Sequence, residues 1–339
     1  MLPIQSFGFQ WHVTDRCNRR CAHCYQDVFN ADAEVGLDGL RSMADRIFAA
    51  VADRAVSVNV TGGESFLLPY LFDLVDHLHT YKNLGEVNII TNGTVVTDAA
   101  IEWLKRCAKL GSIKISLESA DEARNDAIRG EGCFKKVVEG IVRLRETGKP
   151  VVLMITLGRY NVGEIASVAA FARETGAAGV IFERFVPLGA GKAIASDALD
   201  RTGWEQAVTA IAAAAGVDAT PDDLLPYRAF WLWTDGRKGD VLDGALCNLG
   251  DQSMALMPDG TVYPCRRLPI PVGNVLRDPF DRILSRLARY SVKAMRPSLH
   301  GHLCGICGVD DCAGCRALAR ALTGDVLADD PQCMLCGEP

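Results

Sequence analysis

The stretch that decides the fold reads Cys17-Asn18-Arg19-Arg20-Cys21-Ala22-His23-Cys24-Tyr25, with three residues and then two between successive cysteines. Three thiolates on one short loop are close enough to hold a single iron–sulfur cube. Because a cubane cluster normally takes four cysteines, three leave one iron with an open position. An apolar run at residues 7–13 precedes the loop, so we expect the loop at the carboxyl end of a first strand. Barrel-type α/β proteins carry their active sites at that end.

The alternative for a lone CxxC pair would be a zinc site or unrelated thiols. The complete CxxxCxxC spacing, with His23 before the third cysteine, is more specific. It resembles the signature loop of the radical S-adenosylmethionine (SAM) enzymes. The resemblance implies a 4Fe–4S cluster bound by Cys17, Cys21 and Cys24, whose open iron is chelated by the amino and carboxylate groups of SAM. One electron then cleaves SAM to methionine and a 5′-deoxyadenosyl radical, which abstracts a hydrogen atom.

The composition is that of an ordinary globular protein. Of the 339 residues, 49% are apolar and 23% are charged, and the formal net charge is −6. This charge argues against nucleic-acid or membrane partners, because both select basic surfaces, and no apolar run approaches the ~20 residues of a membrane span. Thirteen cysteines without a visible export signal predict reduced, metal-binding thiols in a cytoplasmic protein.

Short apolar runs alternate with longer amphipathic ones from residue 7 to residue 183. We expect strands at residues 7–13, 56–60, 87–91, 113–117, 151–157 and 179–183, and helices at 37–53, 68–79, 98–109, 134–147 and 162–175. This alternation predicts parallel strands joined by right-handed crossovers. Six units are two fewer than a closed eight-fold barrel needs, so we predict an α/β fold with a partial, TIM-like (βα)6 barrel.

The rest of the chain divides by composition. Residues 1–215 would form the barrel, residues 216–246 would connect two domains, and residues 247–339 would form a small cysteine-rich domain. Within that domain, Pro258-Asp259-Gly260 lies between two short apolar runs at residues 254–257 and 261–263. A turn sequence in that position predicts a hairpin.

A glycine pair follows the second predicted strand, in Thr61-Gly62-Gly63-Glu64. Glycines let the backbone approach a ligand closely, and a carboxylate accepts hydrogen bonds from an ammonium group. A plain strand-to-helix turn is the alternative. The run resembles the GGE motif of radical SAM enzymes, and the resemblance implies that Gly62, Gly63 and Glu64 hold the amino group of SAM.

Five further residues match the family by position: Tyr25, Asn92, Ser116, Glu118 and Arg129. Ser116 and Glu118 alternate onto one face at the end of the fourth strand, where they could bond the ribose hydroxyls of SAM. Asn92 ends the third strand, and Arg129 would bind the carboxylate of SAM, although a surface arginine is the alternative. Tyr25, directly after Cys24, is expected near the adenine.

Eight cysteines lie in the last third of the chain, at Cys247, Cys265, Cys304, Cys307, Cys312, Cys315, Cys333 and Cys336. The spacing of the last four would fit a zinc ribbon. The wider pattern, with Gly260-x4-Cys265 and the run Cys312-Ala313-Gly314-Cys315-Arg316, resembles the SPASM extension of radical SAM maturases.

The SPASM resemblance implies two auxiliary 4Fe–4S clusters. Four cysteines, here called the outer set, would hold one cluster: Cys304, Cys307, Cys312 and Cys333. Three, here called the inner set, would hold the other, nearer to SAM: Cys247, Cys265 and Cys315. The loop departs from the commonest spacing by one residue at two gaps, and Cys336 stays unassigned.

The function that this resemblance implies is a radical SAM/SPASM maturase that crosslinks or desaturates a peptide or protein. It would need a reducing partner such as flavodoxin or ferredoxin. Many peptide-modifying members carry a leader-binding domain ahead of the barrel, and only 16 residues precede Cys17 here, which argues against a peptide unless a separate leader-binding protein supplies that role. The alternative is small-molecule metabolism, either trimming of tetrapyrrole side chains in alternative haem pathways or sugar modification. A non-enzymatic metal-binding module is disfavoured by the complete set of SAM motifs.

Overall fold

The computed structural model describes residues 6–236, 241–309 and 311–335. Its strands are β1 (Ser6–His12), β2 (Ala55–Thr61), β3 (Leu84–Thr91), β4 (Leu110–Ser116), β5 (Val151–Leu157), β6 (Gly179–Arg184), β7 (Tyr227–Trp233), β8 (Leu242–Leu246), β9 (Ser253–Leu256), β10 (Thr261–Tyr263) and β11 (Gly273–Asn274). They form one sheet in the order β11-β10-β9-β1-β2-β3-β4-β5-β6-β7-β8. Strands β1 to β6 are parallel, which confirms the predicted α/β fold.

Helices connect the parallel strands, and further helices follow the last of these strands. Those described are α1 (Leu37–Ala50), α2 (Leu71–Leu78), α3 (Asp98–Arg106), α4 (Glu122–Arg129), α5 (Cys133–Arg145), α6 (Ile165–Thr175), α7 (Arg201–Ala215), α8 (Phe280–Ala288), α9 (Val292–Met295) and α10 (Arg316–Thr323). Sequence periodicity missed α4, because this short helix has few apolar residues. Its signal is instead local: the Asp121 side chain caps it by accepting from Arg124 N at 2.9 Å.

The two faces of the parallel strands differ in chemistry. On β1, Phe7, Phe9 and Trp11 are buried in the main hydrophobic core. The opposite face is polar, and there Lys114 Nζ on β4 donates to Asn59 Oδ1 on β2 at 2.7 Å. Because side chains alternate along a strand, this polar face continues to the carboxyl ends of β2 and β4, where the cleft described below lies.

The segment 216–246, expected as a connection, contains two strands. Strand β7 pairs antiparallel with β6, and β8 pairs antiparallel with β7. Phe230 and Leu232 on β7 are buried in the core. The segment therefore extends the barrel sheet. The domain boundaries at residues 215 and 247 remain predictions.

The predicted hairpin is present as β9 and β10, which pair antiparallel. Strand β9 also pairs parallel with β1, with Trp11 opposite Leu256. The start of the cysteine-rich segment is thus hydrogen-bonded to the first strand of the barrel. Across the part of the chain that the structure describes, no helix is long and apolar enough to cross a membrane.

Candidate active site

A cleft enclosing about 960 Å³, including solvent at its mouth, brings together most of the predicted SAM and cluster residues. Those that line it are Cys17, Cys21, Cys24, Tyr25, Gly62, Gly63, Asn92, Ser116, Glu118 and Arg129. They come from the loop after β1, from the ends of β2, β3 and β4 and, for Arg129, from the end of α4, so parallel strands bring distant motifs to one edge. Only Glu64 among the predicted SAM-binding residues does not line the cleft.

The three cysteines of the loop are free and partly buried. Burial raises the pKa of Cys17 and Cys21 and raises that of Cys24 to about 11, and charge on neighbouring cysteines adds to the effect. Without a positive centre these thiols stay protonated at neutral pH, so metal binding must release their protons. Three sulfur donors facing one cleft fit a 4Fe–4S cluster with one open iron.

The described residues contain no group of three His, Cys, Asp or Glu side chains close enough to hold a single metal ion. A cubane binds each cysteine through a different iron, so its cysteine sulfurs lie further apart than those around one zinc ion. Cys336, which would complete the predicted zinc ribbon, lies outside the described residues.

The glycine pair packs directly on the backbone that leads into the cysteine loop. Gly63 N donates to Thr14 O at 2.8 Å, and Glu64 N donates to Arg16 O at 2.7 Å. A Cβ at Gly62 would lie 2.6 Å from Thr14 O. Because the contact is with backbone that cannot easily move, only glycine fits there, and the motif holds the start of the loop in place.

Glu64 is fully buried and is not among the residues that line the cleft. Its carboxylate accepts hydrogen bonds from Phe66 N at 3.1 Å, from Thr91 Oγ1 at 2.7 Å and from Asn92 N at 2.6 Å. Burial raises its pKa, although these donors oppose the effect. A direct contact between this carboxylate and the SAM amino group remains a prediction. In the structure Glu64 joins the ends of β2 and β3 and orients Asn92, which lines the cleft.

This geometry predicts that Glu64→Ala lowers the free energy of unfolding by about 1–3 kcal/mol, because three buried donors lose their acceptor. Ser116→Ala, at a side chain that lines the cleft, should weaken SAM binding while leaving stability near wild type. Chemical denaturation and equilibrium SAM binding of both variants separate the two roles. Wild-type stability in Glu64→Ala would contradict the structural role.

A buried ion cluster forms one wall of the cleft. Glu118 Oε1 lies 3.0 Å from Arg129 Nη1 and 3.1 Å from His23 Nε2, and Glu118 Oε2 accepts from Thr156 N at 2.9 Å. Burial opposes ionisation of Glu118, but His23 and Arg129 lower its pKa overall. For Arg129, burial again opposes the charge, whereas Cys21 and Glu118 raise the pKa. The pair therefore presents a fixed carboxylate and guanidinium beside Cys21, and their contacts to SAM remain predictions.

Sequence reasoning missed a second set of cationic residues in the cleft. Arg266 and Arg267 directly follow Cys265, and both line the cleft. The guanidinium of Arg266 lies 3.6 Å from the centroid of the Tyr25 ring, donates to the Tyr25 hydroxyl, and donates to Thr61 Oγ1 at 3.1 Å. The only signal in the sequence was their position next to a predicted cluster ligand.

The inner set of cysteines lies together. Burial raises the pKa of Cys247 to about 11, and nearby charge on Cys315 and Cys265 adds to this effect. Burial likewise raises the pKa of Cys265, with a contribution from Cys315. These mutual effects are what three ligands of one centre would produce. Cys265, through Arg266, is also the member connected to the cleft.

The outer set lies in the loops on either side of α10. Asp330 N donates to Cys304 Sγ at 3.2 Å, and Cys333 N donates to Asp330 O at 3.0 Å. The Asp330 carboxylate accepts from Cys315 N at 2.8 Å and from Arg184 Nη1 at 2.9 Å. Arg184 lines the cleft. One buried aspartate thus connects the outer set, the inner set and the cleft.

Comparison with known protein families agrees with both parts of this arrangement. The radical SAM superfamily matches residues 11–172, and the SPASM iron–sulfur cluster-binding domain matches residues 247–315. The two matches do not overlap and together span most of the chain. The fold and the cleft therefore define an enzyme of the radical SAM superfamily. More narrowly, the chain belongs to the radical SAM enzymes that carry a SPASM domain, and these domains imply SAM and 4Fe–4S clusters as cofactors.

Three relatives extend over nearly the whole chain. The AdoMet-dependent heme synthase of Methanosarcina barkeri is 26% identical, covering 96% of this chain and 95% of the relative. The mycofactocin maturase MftC of Mycobacterium ulcerans is 28% identical, covering 96% and 86%. The antilisterial bacteriocin subtilosin biosynthesis protein AlbA of Bacillus subtilis is 27% identical, covering 90% and 66%.

Solved structures share the fold at low sequence identity. Streptococcus suis SuiB bound to the precursor peptide SuiA superposes with a TM-score of 0.71 at 13% identity, covering 98% of this chain and 76% of SuiB. The anSMEcpe enzyme with bound AdoMet and a peptide superposes with a TM-score of 0.73 at 17% identity, covering 96% and 93%. These similarities support the fold.

Proposed function

We propose that this radical SAM enzyme oxidatively modifies a peptide or protein, forming a crosslink or a desaturated bond. The observation that carries the proposal is the position of Arg266 and Arg267, which directly follow the inner-set ligand Cys265 and line the same cleft as Cys17, Cys21 and Cys24. A redox centre beside a hydrogen-abstraction site suits a reaction that removes two hydrogens. The first would leave as an atom to the 5′-deoxyadenosyl radical, and the second would leave as a proton to solvent while its electron passes to the inner auxiliary cluster.

When SAM and a reduced cluster are bound, they would supply a 5′-deoxyadenosyl radical for hydrogen abstraction. The residues of this chain would bind and orient the reactants. Gly62 and Gly63 give backbone access, and Glu118 and Arg129 provide opposite charges on one wall. Tyr25 is held by its hydroxyl, which donates to Gly62 O at 3.0 Å, and by Arg266 over its ring. The ring is thereby fixed as a flat surface beside the SAM motifs.

The peptide substrate is supported by the relatives. MftC is a maturase, AlbA is a bacteriocin biosynthesis protein, and both match at least 90% of this chain. SuiB and anSMEcpe, which share the fold, are known with bound peptides. The proposal includes a reducing partner such as flavodoxin or ferredoxin and a separate leader-binding protein.

A specific observation favours a second candidate, the modification of tetrapyrrole side chains. The heme synthase of Methanosarcina barkeri matches this chain almost end to end, covering 95% of its own length, whereas AlbA is matched over 66%. A metallated porphyrin would replace the peptide in the cleft, and the same residues would bind SAM.

One experiment distinguishes the two substrates. Anaerobically reconstituted protein is incubated with SAM, dithionite and either a short peptide encoded beside its gene or iron coproporphyrin. For a maturase, mass spectrometry should detect loss of two hydrogen atoms from the peptide, together with 5′-deoxyadenosine. Turnover of the porphyrin and an unchanged peptide would instead establish the second candidate.

A further inference from the structure

Three arginines from different parts of the chain each donate to the sulfur of a different outer-set cysteine. The pairs, each through Nη2, are Arg228 with Cys312 Sγ at 2.6 Å, Arg316 with Cys304 Sγ at 3.5 Å and Arg296 with Cys307 Sγ at 3.6 Å. Arg228 lies on β7, Arg296 follows α9, and Arg316 begins α10. Tertiary folding therefore converges three guanidinium groups on one group of thiols.

The surroundings hold these guanidinium groups in place. Arg316 is 1% exposed, and its Nη1 donates to Val326 O at 2.9 Å and to Ala328 O at 2.5 Å. Arg228 Nη1 donates to Leu225 O at 3.1 Å. Within the described residues, no carboxylate oxygen lies within ion-pair distance of the guanidinium nitrogens of Arg228 or Arg316, and, against the effect of burial, the buried carboxylate of Asp330 raises the pKa of Arg228 from further away.

The other two groups of cysteines lack this feature. Cys17 Sγ and Cys265 Sγ each accept a backbone N–H at 3.4 Å, from Arg19 and Arg267 respectively. In the described ranges, no guanidinium donates to a sulfur of the inner set or of the loop at residues 17–24. Direct guanidinium-to-sulfur hydrogen bonds therefore distinguish the outer set, although Arg228 also lowers the pKa of Cys247, and Arg267 that of Cys265, against the effect of burial.

We propose that Arg228, Arg296 and Arg316 raise the reduction potential of the outer auxiliary cluster through their direct hydrogen bonds to its cysteine sulfurs. Reduction adds a negative charge to a cluster, and N–H···S hydrogen bonds and nearby positive charge stabilise the reduced form. The three arginines act as positioning residues through the thiolates and make the outer cluster easier to reduce than it would be without these bonds. The inference rests on the proposed function in one respect, the assignment of the outer set as cluster ligands.

The test measures potentials and needs no substrate. The full chain with Cys17, Cys21 and Cys24 replaced by alanine is reconstituted anaerobically and titrated by EPR-monitored redox potentiometry, so that only the auxiliary clusters contribute. The transition that disappears in an added Cys265→Ala variant is assigned to the inner cluster. Arg228→Met and Arg316→Met are then introduced singly. Each should disfavour reduction of the outer cluster at least tenfold, which corresponds to 59 mV for one electron, and leave the inner transition less affected.

Matched variants separate the effect of the lost positive charge from an effect on folding. Arg228→Lys and Arg316→Lys keep the charge and should recover most of the potential. Arg286→Met is the control, because Arg286 lies in the same segment but contacts Val272 O and Asp278 rather than a sulfur. Unchanged outer potentials in both methionine variants with full iron content would overturn the inference. If Arg316→Met loses iron, the outer-cluster potential of Arg228→Met alone tests the inference. Zinc, or no iron, at the outer set would overturn the cluster assignment itself before any arginine is compared.

Discussion

Replacing Cys17, Cys21 and Cys24 together by alanine should abolish SAM cleavage and remove about four of roughly twelve irons per chain. The three thiols line the cleft with the SAM motifs, and they are the only cysteines among its lining residues. Within the part of the chain that the structure describes, removing them leaves no cysteine among the residues that line the cleft. The eight C-terminal cysteines are untouched, so about eight irons should remain after anaerobic reconstitution. Iron analysis and chromatographic assay of 5′-deoxyadenosine measure both effects.

The control for this variant is Cys107→Ala. Cys107 is buried and lies 3.6 Å from His79 Nε2, far in sequence from the cluster motifs and outside the cleft lining. It should keep the iron content and SAM cleavage of the wild type. A triple variant that retains all its iron, or that still releases 5′-deoxyadenosine at the wild-type rate, would refute the assignment of the loop.

The Cys265→Ala variant should still cleave SAM but lower product formation by roughly 100-fold or more. The SAM motifs all lie before residue 190 and line the cleft independently of this thiol. Cys265 instead belongs to the inner set, with Cys247 and Cys315 as electrostatic neighbours. Loss of one of three described donors should remove the inner cluster, and with it the acceptor that completes oxidation. Parallel assays of 5′-deoxyadenosine and of modified substrate separate the two steps.

Stability needs its own control here, because metal binding in a loop-rich segment is coupled to folding. Circular dichroism and thermal unfolding should show that Cys265→Ala retains the fold, since the hairpin of β9 and β10 is also hydrogen-bonded to β1. A folded variant that lacks the inner cluster and makes normal product would show that this cluster is only structural.

Local patterns predicted most of the barrel. The six parallel strands lie within a few residues of the expected ranges, because a buried parallel strand needs a short apolar run and its crossover helix needs an amphipathic one. The turn at Pro258-Asp259-Gly260 similarly predicted the hairpin. The apolar pattern did not predict two parts of the fold. Helix α4 has few apolar residues, and the strands within residues 227–246 follow two prolines.

The motifs alone predicted the chemistry, because CxxxCxxC spacing and a glycine pair after β2 act over short distances in the chain. Residues whose role depends on distant partners could not be found this way. Glu64 matched its motif, but the motif did not predict the hydrogen bonds that its carboxylate accepts from Thr91 and Asn92 at the end of the neighbouring strand. Arg266 carried no motif of its own, yet it lies over Tyr25, 241 positions earlier in the chain.

The sequence by itself therefore determined the superfamily, the cofactors and the order of the barrel elements, since each depends on spacing within a loop or on the period of one element. Only the tertiary structure decided which side chains converge. It joined β9 to β1, brought Arg266 into the cleft and directed Arg228, Arg296 and Arg316 at three cysteines. The physical reason is that hydrogen bonds and charge interactions depend on distance in space, and that distance is set by how the elements pack.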